Sequence, residues 1–215
     1  FKIDNTIINT KRNDNPWLDR AAQSLAEAFC LAASKRLDVE FTELVTGYRL
    51  RPGTDISYVD IYLYDSLSSG AGYAVSVSDA IAELLADIKQ QLSACDCEAA
   101  CSKCLKHYRN QYVHGMLDRF AALQLLEFGV EGKIAPPISM DEQKTVIQPL
   151  TNILMRSGCE INVDGEFITM GQKRKKIVIY PAMWAEPNAD NTVFVSDFYI
   201  KYAKPYAVQK IIDNV

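Results

Sequence analysis

An α+β fold is predicted by three observations. Apolar residues recur at helical spacing over about 16–36, 78–93 and 116–128, strand-like runs fill 40–50 and 56–65, and four cysteines crowd between the last two helical runs. The order implies a helix and β-hairpin packed with a helix–cysteine knuckle–helix unit over 1–130, followed by a small α+β subdomain of unknown role over 138–215.

The elements follow from local chemistry. Asn15-Pro16 reads as a cap followed by proline at the first helical position, and Leu18, Ala22, Leu25, Phe29 and Ala32 continue the helical period. Cys30 sits inside that stripe as a small core residue. Val59, Ile61 and Leu63 alternate with Tyr58, Asp60 and Tyr62, and Arg51-Pro52-Gly53-Thr54-Asp55 suits a type II turn, so 40–50 and 56–65 are expected to form a hairpin. Ile81, Leu84, Leu85, Ile88 and Leu92 make one apolar stripe that Ser78 is placed to cap; Leu117, Phe120, Ala121 and Leu125 make another, expected to end at Gly129.

After the linker-like Glu131–Pro137, a short helix is expected from near Pro149 to Gly158. Asp164-Gly165 between two short β runs signals a two-residue hairpin, Ile177–Tyr180 and Thr192–Val195 read as strands, and 205–214 as a helix.

Composition narrows function. The formal net charge of -4 excludes a generically polyanion-binding chain and confines any nucleic-acid contact to a local patch. No apolar run approaches the ~20 residues of a membrane span, and the N-terminal residues have no signal-peptide layout. A cytoplasmic setting without a membrane partner is therefore expected. The chain begins at Phe1 without an initiator Met, which reads as a piece of a longer protein.

Cys95, Cys97, Cys101 and Cys104 form the pattern C-x-C-x3-C-x2-C. Four soft thiolates close a tetrahedral zinc site and leave no position for water, so Zn2+ is expected in a structural, non-catalytic role. A redox Cys-x2-Cys pair would sit near a βαβ pattern, which is lacking here. An iron–sulfur cluster is the lesser alternative. His107 and His114 lie close enough in sequence to be substitute ligands, although hydrogen bonding near the site is the simpler role.

Lys103, Lys106 and Arg109 fall at helical spacing with Tyr108 and Tyr112 on a neighbouring face, a pattern suited to phosphate contact and base stacking. Lys173, Arg174, Lys175 and Lys176 form a second basic run. Both patterns also describe solvated surface. The glycine-rich run 66–73 lacks a Walker A lysine and reads as a tight turn, with phosphate contact as the minor alternative. No catalytic triad is legible. Glu160, Asp164 and Glu166 hint at a nuclease, but no lysine stands two residues after Glu166.

Leu63-Tyr64-Asp65, Gly70-Ala71-Gly72-Tyr73, the four cysteines, Asn110, His114 and Leu117-Asp118-Arg119 together resemble the zinc-binding domain of MrfA-type superfamily 2 DNA helicases. They are also similar to the equivalent domain of DISARM and Druantia anti-phage defence proteins. The likeness covers about residues 16–129. It implies that the four cysteines ligate zinc, that Gly70, Gly72, Asn110, His114, Asp118 and Arg119 belong to the family pattern, and that DNA and an ATP-driven helicase motor, in cis or in trans, are the partners. Either DNA repair or antiviral defence is compatible with it. A protein-docking module for a separate helicase subunit is the alternative, with a nuclease module in 138–215 as a lesser one.

Overall fold

A computed structural model of the chain describes residues 1–11, 16–67, 70–159, 161–164, 167–171 and 175–214. The chain divides into two compact units. Unit 1 holds Phe1–Asn5 and Pro16–Ile134; unit 2 holds Thr6–Asn15 and Ala135–Val215. The fold is α+β, as expected.

In unit 1, strand β1 (Lys2–Asp4) precedes helix α1 (Trp17–Leu37), and β2 (Leu44–Arg51) and β3 (Ile56–Asp65) form the expected hairpin. The sheet order is β1-β3-β2, antiparallel throughout. β2 starts later than the apolar run suggests because Phe41–Glu43 closes a 3-10 turn first. β1 has no counterpart in the sequence reading, since three residues are too short for a periodic signal.

α1 packs on the sheet and on two later helices. Ala21, Ala22, Ala26, Ala28, Ala32 and Ala33 are buried, and their small side chains let neighbouring backbones approach on several sides. A leucine or phenylalanine stripe would serve one face only. Tyr48 on β2 donates from its hydroxyl to Asp19 on α1 at 3.0 Å, fixing the helix over the sheet.

The run expected as one helix over 78–93 is two: α2 (Tyr73–Asp79) and α3 (Ile81–Ser93), broken at Ala80 (φ -115°). Ser78 lies inside α2 and caps nothing. The true start signal is Asp65, whose carboxylate accepts from the Gly72 and Ala74 N–H groups at 2.7 and 2.9 Å. Leu84, Ile88 and Leu92 of α3 are fully buried, each stabilising by roughly 1.5–3 kcal/mol relative to exposure. Helix α4 (Arg119–Glu131) is capped by Asp118 and ends at Gly132 (φ 67°), three residues beyond the expected stop. Gly129 is inside the helix, and the Phe1 ring packs against it so closely that a Cβ there would lie 1.8 Å from that ring.

Unit 2 is a four-stranded sheet ordered β4 (Ile161–Asp164), β5 (Phe167–Met170), β6 (Lys175–Tyr180), β7 (Thr192–Ser196). The first three strands are antiparallel, and β6 and β7 are parallel. The turn residue Gly165, together with Glu160 and Glu166, lies outside the described residues, as does Asn15.

Helix α5 (Met140–Arg156) is much longer than the expected Pro149–Gly158 segment. Its start is a capping box in which Ser139 and Glu142 satisfy each other's main-chain N–H groups. Pro149 interrupts the ladder at a typical cost of ~3 kcal/mol, offset by burial of Ile147, Leu150 and Leu154. Helix α6 (Asp197–Tyr202), unanticipated, follows β7 directly, and α7 (Lys204–Ile212) closes the chain. Thr6–Asn9 packs in this unit: Asn9 N–H donates to Met183 and Ile8 pairs with Trp184. No helix among the described residues is long and apolar enough to cross a membrane.

Candidate functional site

The cysteine loop joins α3 to a 3-10 segment, Tyr108–Met116, that leads into α4. Cys95 Sγ lies 3.5 Å from Cys97 Sγ and 3.5 Å from Cys101 Sγ, and Cys104 Sγ lies 3.6 Å from Cys97 Sγ and 3.9 Å from Cys101 Sγ. All four sulfurs fall within 4.8 Å of one another, and none is in a disulfide. A tetrahedral ion with Zn–S bonds of about 2.3 Å spaces its sulfurs about 3.8 Å apart, so the donor set fits zinc.

Main-chain N–H groups point at two of the sulfurs, and at Cys101 they favour the thiolate. The Cys101 N–H donates to Cys104 Sγ at 3.2 Å, and the Lys103 N–H pulls the Cys101 thiol below its ordinary range. Burial pushes Cys104 and Cys97 upward. Four thiolates this close repel one another, and a dication supplies the missing charge. Cys95-x-Cys97 works as a pair because the chain turns sharply between residues 94 and 101.

The loop is gripped from two helices, and the segment that follows it from a third. Arg119 on α4 donates through Nε to the Cys97 carbonyl (2.8 Å) and through Nη1 to the Leu92 carbonyl (3.0 Å), and its main-chain N–H donates to Ala99 (2.7 Å). Gln91 on α3 donates to the Cys104 carbonyl at 2.7 Å. Glu27 on α1 receives Asn110 Nδ2 at 2.9 Å and lies 3.1 Å from His107 Nε2.

Asn110 is the hub of the following segment. It is buried, donates also to the Leu105 carbonyl, accepts from the His107 N–H and meets His114 Nε2 at 2.8 Å. The two histidines are thus spent on Glu27, Asn110 and the His107 carbonyl, and the His107 ring packs on Phe41 at 4.6 Å. The substitute-ligand reading gives way to hydrogen bonding near the site.

Asp118 accepts from the Phe120 and Ala121 N–H groups and so starts α4, while its own N–H donates to Ser24 on α1. Gly70 and Gly72 have positive φ (64° and 82°) in the turn before α2. The N–H of Gly72 is taken by Asp65, so this turn organises itself around a carboxylate. Glu27 and Gln91 were not singled out from sequence. Their only signal is a polar residue within an otherwise apolar helical face.

Lys103, Lys106 and Arg109 do not lie on an α-helix. The chain turns at 101–105 and then follows the 3-10 path, kinked at Asn110. None of the three forms an ion pair among the described residues, and residues 99–117 contain no Asp or Glu. Arg109 reaches the Thr42 carbonyl at 3.4 Å. Tyr108 and Tyr112 are 82% and 86% exposed. Lys175 and Lys176 belong to unit 2 and are half-buried on β6, with Lys175 donating to the Asn214 carbonyl. Lys173 and Arg174 lie outside the described residues.

Fold and sulfur geometry together define a tetracysteine zinc-binding module. Residues 18–105 match the family described as the MrfA Zn-binding domain. The chain is 30% identical over 185 residues to Druantia protein DruE of Escherichia coli (strain UMEA 4076-1), a match covering 82% of this chain and 10% of DruE. The chain thus spans about a tenth of that relative's length. A solved structure, the DUF1998 helicase MrfA bound to DNA, aligns with 56% of this chain and 16% of its own at 19% identity and a TM-score of 0.42. Residues 18–105 therefore carry an MrfA-type zinc-binding domain, and its metal is zinc.

Proposed function

We propose that unit 1 is a structural zinc module that holds a DNA-contacting segment in place for an ATP-driven DNA helicase or anti-phage defence complex. Cys95, Cys97, Cys101 and Cys104 are the ligands, and the closed tetrathiolate set makes the metal a clamp without a water position for hydrolysis. The carrying observation is the convergence of four sulfurs within 4.8 Å, in and directly before a basic segment that contains no Asp or Glu from 99 to 117.

Zinc supplies the charge that lets four thiolates share one site. Arg119, Gln91 and Glu27 transmit that fixation to α4, α3 and α1. Lys103, Lys106 and Arg109 then present cations whose direction is set by the clamp. Lys175 and Lys176 on β6 are a secondary candidate contact, and Lys173 and Arg174 remain candidates from the sequence alone. The motor lies elsewhere, in cis or in trans, and this chain performs no chemistry.

Metal analysis and a DNA titration test the reading together. One zinc per chain is expected, with DNA affinity falling steeply as salt rises and the slope reduced in Lys103, Lys106 and Arg109 alanine variants. A zinc-free native protein would remove the basis of the proposal.

A second reading has its own support. A groove in unit 1 is lined by the apolar residues Phe29, Ile61, Leu63, Ala74, Val77 and Ile81, a surface suited to docking a protein. Zinc-loaded protein that lacks DNA affinity at low salt yet binds a helicase subunit would favour docking.

A further inference from the structure

We infer that Tyr108 and Tyr112 form a preorganised stacking site for unpaired nucleobases, so that the segment after the zinc loop is selective for single-stranded over duplex nucleic acid. The inference rests on the DNA-contact reading and adds to it the recognition chemistry and two residues.

The two rings are the most exposed large apolar side chains among the described residues, at 82% and 86%. Neither makes a hydrogen bond or ring contact with another described residue. Rings left in water serve no purpose in the unit's own core, yet their backbone is anchored. Asn110 and Val113, from the same 3-10 segment, are buried at 2% and 9% exposure. The Asn110 amide is tied to Glu27, Leu105, His107 and His114. The kink at Asn110 (φ -104°, ψ 21°) lies between the tyrosines, and the buried residues that hold it turn Tyr108 and Tyr112 outward. Ordering of the segment therefore precedes ligand binding and need not be supplied by it.

The chemistry around the rings selects the ligand. Lys103, Lys106 and Arg109 carry no ion-pair partner among the described residues. Arg109, adjacent to Tyr108, uses one donor on Thr42, leaving the rest of its five N–H groups for a phosphate. Beside Arg109 and Tyr112 a cavity of about 330 Å³ opens, also lined by Phe41, Val45 and Thr46. Aromatic faces flanked by cations that are in no ion pair among the described residues suit a strand whose bases are free to stack, since every base offers a π-face. Paired bases within a duplex offer these rings no face.

The test is fluorescence anisotropy on the zinc-loaded 215-residue chain, with a labelled oligothymidine strand and a blunt duplex of equal length. Stacking is worth about 5-fold per base or more. Tyr108→Ala with Tyr112→Ala should therefore weaken single-strand binding at least about 20-fold, leave duplex binding within about twofold, and leave the salt slope unchanged. Tyr108→Phe with Tyr112→Phe should retain binding, because the ring and not the hydroxyl is used. The exposed rings contribute no packing, so zinc content and circular dichroism should not move. Equal losses on both nucleic acids, or no loss on the single strand, would overturn the stacking inference. If Lys103→Ala, Lys106→Ala and Arg109→Ala still weakened binding in that case, the DNA-contact reading would survive it. Wild-type protein binding neither probe at low salt would overturn both.

Discussion

Arg119 Nε donates to the Cys97 carbonyl at 2.8 Å, joining the first turn of α4 to the middle of the cysteine loop. Its Nη1 reaches the Leu92 carbonyl at the end of α3. One side chain thereby holds the loop and both helices that flank it. It is buried, its charge satisfied by carbonyl groups and its plane stacked on Phe120 at 3.9 Å.

Arg119→Lys should therefore weaken zinc binding even though the charge is kept. Lysine cannot bridge two carbonyls with a planar fork. Outer-shell losses of this kind typically reach about 10-fold in metal affinity. Competition against a chromophoric chelator measures it, and unaltered affinity would refute the bridging role.

Cys101→Ser with Cys104→Ser should abolish zinc binding and unfold the loop. Structural zinc contributes an apparent ~10–16 kcal/mol, and these two residues are half of its donor set. Amide exchange should rise across 95–116 while the sheet β1-β3-β2 stays protected. A chelator added to wild-type protein should reproduce the pattern.

The Ala74 N–H, helped by that of Gly72, holds the Asp65 carboxyl below the ordinary aspartate range. A depressed carboxyl stabilises the fold above its unfolded value of about 3.9, and that contribution is lost as pH falls through the lower folded value. Amide protection at Gly72 and Ala74 should decline in that acid window. Asp65→Asn should remove the pH dependence, and an unchanged profile in that variant would show that another group governs it.

Gly129→Ala places a methyl group against the Phe1 ring. Alanine improves helix propensity by about 1 kcal/mol, but overpacking of this kind typically costs about 1–3 kcal/mol. Net destabilisation is expected by chemical denaturation, together with loosening of β1. Pairing with Phe1→Ala should restore stability relative to the sum of the single changes, as a double-mutant cycle would reveal.

How far the sequence could be read depended on whether a signal was periodic or local. α1, the hairpin and the apolar stripe of α3 are periodic over many residues, and they were legible. The break at Ala80, the α4 stop at Gly132 and the long α5 were not. Each was settled by one or two local residues in competition with another plausible signal: Asp65 over Ser78, Gly132 over Gly129, Ser139 with Glu142 over Pro149. β1 and α6 are too short to show a period.

What the sequence determined by itself is the metal chemistry: four thiols within ten residues, spaced C-x-C-x3-C-x2-C, suit one tetrahedral ion once the loop turns back on itself. What only the tertiary structure decided is the role of everything around them. Glu27 lies 83 residues from Asn110, and Ser24 lies 94 from Asp118. No local spacing encodes such pairs, since they arise from helices packing at a distance. Packing also separated the residues spent on the clamp, His107, Asn110, His114 and Arg119, from those left facing solvent, Lys103, Lys106, Tyr108, Arg109 and Tyr112.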